Sequence, residues 1–166
     1  MNLQKSSALT MKFHALRWLR IDQRCMFIAT EVGGYSADVL GINEKKMVEI
    51  EVKVTMADFK NDFKKSKHLQ YTTYDPATGH DYAWYKQWVP THFYFAVPAA
   101  MVEEVKAYLE TAKAPRAKDY GVISAEDWTV VKRAKWLHKN PPGNRAKATC
   151  ALRMGSELIR FHEAWV

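Results

Sequence analysis

Apolar and polar positions along the chain change period several times, and each change predicts an element. Residues 11–30, MKFHALRWLRIDQRCMFIAT, have helical spacing, with Phe13, Leu16, Leu19 and Met26 forming an apolar side. Arg17, Arg20 and Arg24 recur at i, i+3 and i+7 as a basic stripe, which reads as a solvated face or as a phosphate contact. Gly33 and Gly34 in EVGGYSADVLGI break the helix. ADVLGI and KMVEIEVKV then read as two strands around NEKK, and a tight turn at Glu44 and Lys45 joins them as an antiparallel hairpin. Counting outward pairs Asn43 with Lys46, Ile42 with Met47, Leu40 with Glu49 and Asp38 with Glu51.

TMADFKNDFKKSKHLQYTTY returns to helical spacing, with Met56, Phe59 and Phe63 as its buried edge and Lys60, Lys64 and Lys67 as a second basic stripe. Residues 75–90 read as a loop or irregular hairpin. THFYFAVP is a strand closed by Pro98, AAMVEEVKAYLETA an amphipathic helix, and YGVIS and DWTVVKRAKWL two further strands. NPPGN is a break before a final helix over residues 145–162. The order predicts one mixed α/β domain with a central sheet over residues 1–166, its core at about 11–138.

The 166 residues suffice for a buried core, and the 48% hydrophobic content excludes a disordered tail. No apolar run reaches membrane-span length, and the N-terminus lacks the apolar core of a signal peptide. A soluble cytoplasmic protein is expected. Cys25 and Cys150 form no C-x-x-C pair and no zinc pattern with the histidines, so they read as buried free thiols. The formal charge of +7 suits a polyanionic partner, because neutralised phosphates release counterions.

The hairpin register carries the chemistry. Opposed residues on an antiparallel pair share a face, with Cβ atoms about 5 Å apart, so Asp38 and Glu51 are expected as neighbours. Lys53, two residues on, shares that face. Adjacent carboxylates repel and raise each other's pKa unless a cation lies between them. Mg²⁺ answers that need with a few carboxylates and several waters, polarising a phosphate and activating a water. Lys53 can orient or deprotonate that water and balance transition-state charge. Glu31, placed at the end of the first helix, is either a third ligand or an exposed helix-end residue. Glu49 is expected to be solvated. The bland alternative is the charged outer face of an edge hairpin.

The residues ADVLGI…VEIEVKVTMADFKND…KH resemble the PD-(D/E)XK nuclease superfamily, and within it the small MmcB-like DNA-repair and phage-encoded nuclease-like proteins. The likeness runs from Glu31 through Tyr71 and more faintly through THFYFAVP and YGVIS…VVKRAKWL. It puts the superfamily's aspartate on Asp38, its acidic strand residue on Glu51, its lysine on Lys53 and a first-helix glutamate on Glu31. The ADF…D…KH segment falls on Asp58, Phe59, Asp62, Lys67 and His68. Ala37 stands where the motif's proline would precede Asp38. The resemblance implies a restriction-endonuclease-like mixed sheet of about four or five strands flanked by helices. It implies a Mg²⁺- or Mn²⁺-dependent phosphodiesterase bound to DNA, in repair, recombination or phage DNA processing in a bacterial or phage-infected cell. Many members act as dimers, which leaves a homodimer open.

Around that site, Lys60, Lys64, Lys67 and His68 are expected to hold the DNA backbone, against the reading of a solvated helix face. Tyr71, Tyr74, Tyr82, Trp84, Tyr85 and Trp88 either stack on unpaired bases or, the better reading for most, pack over the sheet or a dimer contact. Lys132, Arg133 and Lys135 either extend a nucleic-acid track or form a charged edge that blocks aggregation. Two further functions compete with the nuclease: a non-cleaving DNA-binding or repair-accessory module, and a phage factor that engages host DNA-processing proteins.

Overall fold

The computed structural model describes residues 3–32, 37–73 and 88–165, and the side chains of 8–32, 37–71 and 88–159 among them. Helix α1, Leu3–Ile21, buries Met11, Ala15, Trp18 and Leu19, a set spaced i, i+4, i+7 and i+8. Its buried stripe is therefore rotated from the expected one: Phe13 is exposed, and so is Met26, which lies beyond the helix. The helix also ends nine residues earlier than its periodicity suggests. Arg24 adopts a left-handed φ of 52°, and the Arg20 guanidinium donates to the carbonyls of Cys25 (3.0 Å) and Met26 (3.1 Å). Those bonds close the turn and dismantle the expected arginine stripe. The following FIATEV, rich in β-branched residues, is strand β1, Phe27–Val32.

Strands β2, Ala37–Ile42, and β3, Met47–Val52, form the expected hairpin, with Leu40 opposite Glu49 and Ile42 opposite Met47. The Asn43 side chain sets the turn by accepting the Lys45 and Lys46 N–H groups at 3.0 and 2.8 Å. β1 pairs antiparallel with β2. Strand β4, His92–Val97, runs parallel to β3, and β5, Gly121–Ser124, parallel to β4. A short β6, Val130–Lys132, closes the far edge antiparallel to β5. The result is a six-stranded mixed sheet in the order β1-β2-β3-β4-β5-β6, one strand or two wider than expected. Every residue of β3 is buried, so the hairpin's charged row lies inside the sheet and not on an edge.

Alternation along β3 and β4 divides the core. Val48, Ile50, Val52, Tyr94 and Ala96 pack under α1. Phe93 and Phe95 face Phe59, Tyr71, Tyr120 and helix α4, Val102–Thr111. The single helix expected after β3 is two: α2, Met56–Asp62, capped by the Thr55 hydroxyl on the Asp58 N–H, and α3, Ser66–Thr73. The final helix α5, Asn144–Trp165, buries Ala146 and Cys150 against Ala29, Leu40 and Met47. Cys25 and Cys150 are buried free thiols, as expected. Among the described residues no helix is long and apolar enough to cross a membrane.

Candidate functional site

The hairpin brings Asp38 and Glu51 together. Val39 pairs with Ile50, which sets Asp38 and Glu51 at the next step of the same register, and Asp38 feels the Glu51 charge. The Asp38 Oδ2 accepts the Val52 N–H at 2.9 Å, which fixes the carboxylate at the end of the strand pair. Burial, then the negative charge of Glu51, pushes the Asp38 pKa up, against the opposing pull of Lys12.

Asp38 has a counter-charge from the chain on its outer side. Lys12, from α1, lies 2.9 Å from Asp38 Oδ1 and also pairs with Glu31. Glu31 is not a helix-end residue: it sits in β1 with a left-handed φ of 51°. That backbone flip interrupts the strand's alternation. Val32 thereby packs on the same side as Ala29 and Leu40, and Glu31 turns to Lys12.

Glu51, Glu49 and Asp62 form the inner half. Glu51 Oε2 takes Lys53 at 2.9 Å and Lys65 at 3.3 Å, while Oε1 takes Lys67. Lys53 also reaches Asp62 at 2.8 Å. Glu49, expected to be solvated, is buried and binds Lys67 at 2.8 Å and the Tyr71 hydroxyl at 2.7 Å. His68 bridges Asp62 (2.8 Å) and the Tyr120 hydroxyl (3.0 Å). Burial raises the Glu49 pKa and Glu51's charge adds to that, so Lys67 only partly compensates. For Glu51 burial pushes upward too, but Lys67 and Lys53 outweigh it and the net shift is downward. Burial alone would lower the Lys53 ammonium; Glu51 and Asp62 outweigh it and hold it above its ordinary value. A protonated Lys53 suits charge balance at a phosphate better than the role of a base.

The basic stripe Lys60, Lys64, Lys67, His68 does not exist as one face. The chain breaks between α2 and α3, so Lys67 and His68 turn inward, 1% and 2% exposed, while Lys60 and Lys64 stay outside. Lys60 pairs with Glu104 at 3.1 Å on the surface. Asp58 is exposed and serves the α2 cap, not the cluster. Tyr71 is a buried hydrogen-bond donor, and Trp88 packs partly buried against the core that holds Ala29, Leu40 and Met47. Tyr74, Tyr82, Trp84 and Tyr85 lie outside the described residues. Lys132 is bound to the carbonyls of Lys118 and Tyr120, which ties it to the sheet edge.

Sequence reasoning missed Lys12, Lys65, Tyr71 and Tyr120 as members of the cluster, and named Asp62 only through the resemblance. A signal for Tyr71 existed, because Lys67, His68 and Tyr71 at i, i+1 and i+4 share one side of α3. Lys12 had none, since its partners lie 19 and 26 residues away.

Apart from the His68 imidazole and the Tyr71 and Tyr120 hydroxyls, the cluster's acceptors are carboxylate oxygens, the ligand type of a hard divalent cation. Glu31, Asp38, Glu49, Glu51 and Asp62 face Lys12, Lys53, Lys65 and Lys67, so apart from His68 the carboxylates outnumber the lysines by one. Lys12 and Lys65 are the partly exposed members, whereas Lys53 and Lys67 are enclosed. Among the described residues no group of three or more His, Cys, Asp or Glu side chains is arranged to hold a metal ion, and the position between Asp38 and Glu31 is held by the Lys12 ammonium.

No family model and no curated protein matches the chain. Among solved structures it is similar to the SPO1766 protein of unknown function from Silicibacter pomeroyi, at 18% identity and a TM-score of 0.51, over 91% of this chain and 85% of that one. At that identity the likeness concerns the fold: an α/β domain whose mixed sheet is flanked by helices.

Proposed function

We propose that the chain is a Mg²⁺- or Mn²⁺-dependent deoxyribonuclease of the PD-(D/E)XK type, related to the MmcB-like DNA-repair and phage-encoded proteins. The observation that carries this reading is the convergence of Asp38, Glu51 and Lys53 on one face of an interior hairpin. Asp38 and Glu51 would hold the metal, with Glu31 as a third carboxylate once Lys12 withdraws. When bound, the metal polarises the scissile phosphate and lowers the pKa of an attacking water. Lys53, held protonated between Glu51 and Asp62, faces the phosphate with positive charge. Asp62 and His68, fixed by Tyr120, position Lys53. Lys60 and Lys64, exposed beside the cluster, contact the DNA backbone.

The test is cleavage of labelled single-stranded, duplex, flap and four-way-junction DNA with Mg²⁺ or Mn²⁺. Wild type is run beside Lys53→Ala and Asp38→Asn. Metal-dependent cutting lost in both variants supports the proposal; cutting that survives in both places the activity elsewhere.

One observation favours a second reading, a DNA-binding accessory module without cleavage: both oxygens of Glu51 already carry lysine partners. Salt-dependent DNA binding with no cutting under any metal would select it.

A further inference from the structure

The sheet face opposite Glu49 and Glu51 holds a cavity of about 330 Å³ with a different chemistry. It is lined by α1 and its exit (Trp18, Gln23), the hairpin (Lys46, Val48), β4 (His92, Tyr94) and the β6 edge (Val130, Arg133, Ala134). Its volume lies at the small end of ligand sites, which run from about 300 to 1,000 Å³. The lining contains two cations and no carboxylate.

Lys46 and Arg133 contrast with the lysines of the carboxylate cluster. Lys12, Lys53, Lys65 and Lys67 each sit against one or more carboxylates, whereas among the described residues neither Lys46 nor Arg133 has an acidic partner. Two cations without an acidic partner among the described residues, lining one cavity, favour an anion, and the planar guanidinium suits phosphate oxygens in particular.

The walls are aromatic. Trp18 and Tyr94 meet edge to face at 5.7 Å, and the Tyr94 ring lies flat over Gly121, where an added Cβ would come within 2.3 Å. His92 packs on Trp136 at 4.4 Å, and Lys46 stands 6.0 Å from the same indole. Burial, reinforced by Lys46, pushes the His92 pKa down to about 4. His92 is therefore an uncharged ring at neutral pH, a surface for stacking and hydrogen bonding. Gln23 adds an amide that can both donate and accept at a base edge.

We propose that this cavity binds a nucleoside monophosphate, its base among Trp18, Tyr94 and His92 and its phosphate at Lys46 and Arg133. The site is independent of the proposed phosphodiester chemistry: it lies across the sheet from Asp38 and Glu51, and a monophosphate has no phosphodiester bond to cut.

The test is calorimetric titration of the full chain with dAMP, deoxyadenosine and inorganic phosphate. Lys46→Glu and Arg133→Glu are measured beside wild type, with circular dichroism as a fold check; both side chains are at the surface or partly so. The expected result is dAMP binding weakened about tenfold or more by either substitution, from the loss of a charged phosphate contact. Deoxyadenosine and phosphate should each bind at least about tenfold more weakly than dAMP. Asp38→Asn should bind dAMP as wild type does. The proposal is overturned if dAMP does not bind, if neither charge reversal weakens it, or if Asp38→Asn abolishes it. Phosphate binding as tightly as dAMP would also overturn it, because the aromatic walls would then contribute nothing.

Discussion

Lys67 Nζ lies 2.8 Å from Glu49 Oε1 with both side chains closed to solvent, and the same ammonium reaches Glu51. A residue that reads as part of a DNA-contacting stripe is thus the internal counter-charge of two buried glutamates. Taking either partner away strands charge in a medium that solvates it poorly.

Lys67→Met should therefore destabilise the fold by about 3–5 kcal/mol, the cost of an uncompensated buried charge. Adding Glu49→Leu should restore part of that loss, since the double variant removes one of the stranded carboxylates. Urea unfolding of the single and double variants measures both. A Lys67→Met cost below about 1 kcal/mol would mean that the glutamates are neutralised by other means.

On the proposed function, Lys12 would compete with a divalent cation for Asp38. A unit charge at about 4 Å is worth roughly 1–4 kcal/mol between bulk water and a protein surface. Lys12→Met should tighten Mn²⁺ binding by about tenfold, read by calorimetry, and Asp38→Asn should remove it. Equal Mn²⁺ affinity in wild type and Lys12→Met would show that the ammonium does not occupy the metal's position.

Alkaline stability follows from Lys53 and Lys67. Burial lowers both ammonium groups, but the carboxylates around them outweigh it and hold both above the ordinary 10.5. Their contribution is fully present below 10.5 and is lost as pH rises through the folded-state values. Melting temperature should stay level from neutral pH towards 10.5 and fall above it. Thermal melts across that range test this, and a melting temperature unchanged well above 10.5 would contradict it.

Gly121 is required by the ring of Tyr94 and by the Ala134 backbone nitrogen, 2.3 and 2.8 Å from where a Cβ would stand. The nitrogen belongs to the main chain and cannot swing aside. Gly121→Ala should cost about 1–3 kcal/mol, as overpacking does, and should reshape the cavity that Tyr94 lines. Denaturant unfolding checks the first effect and dAMP titration the second.

Local chemistry made much of the fold legible in the sequence. Asn43 caps its own turn, and the alternation on either side sets the register within a few residues, so the pairing of Leu40 with Glu49 could be counted directly. The strand THFYFAVP and the amphipathic helix after it carry equally local patterns. The tertiary structure decided what local pattern does not encode. The end of α1 depends on Arg20 reaching two carbonyls beyond it. The inward turn of Lys67 and His68 depends on a break between α2 and α3 that helical spacing alone does not reveal. The partners of Asp38 and Glu51 come from three separate elements and two connections, and a charge's environment is a property of that assembly. Sequence could bring Asp38 and Glu51 together, because strand alternation is local; only packing could determine that Glu31, Glu49, Asp62 and the lysines join them, because distance in space is not distance along the chain.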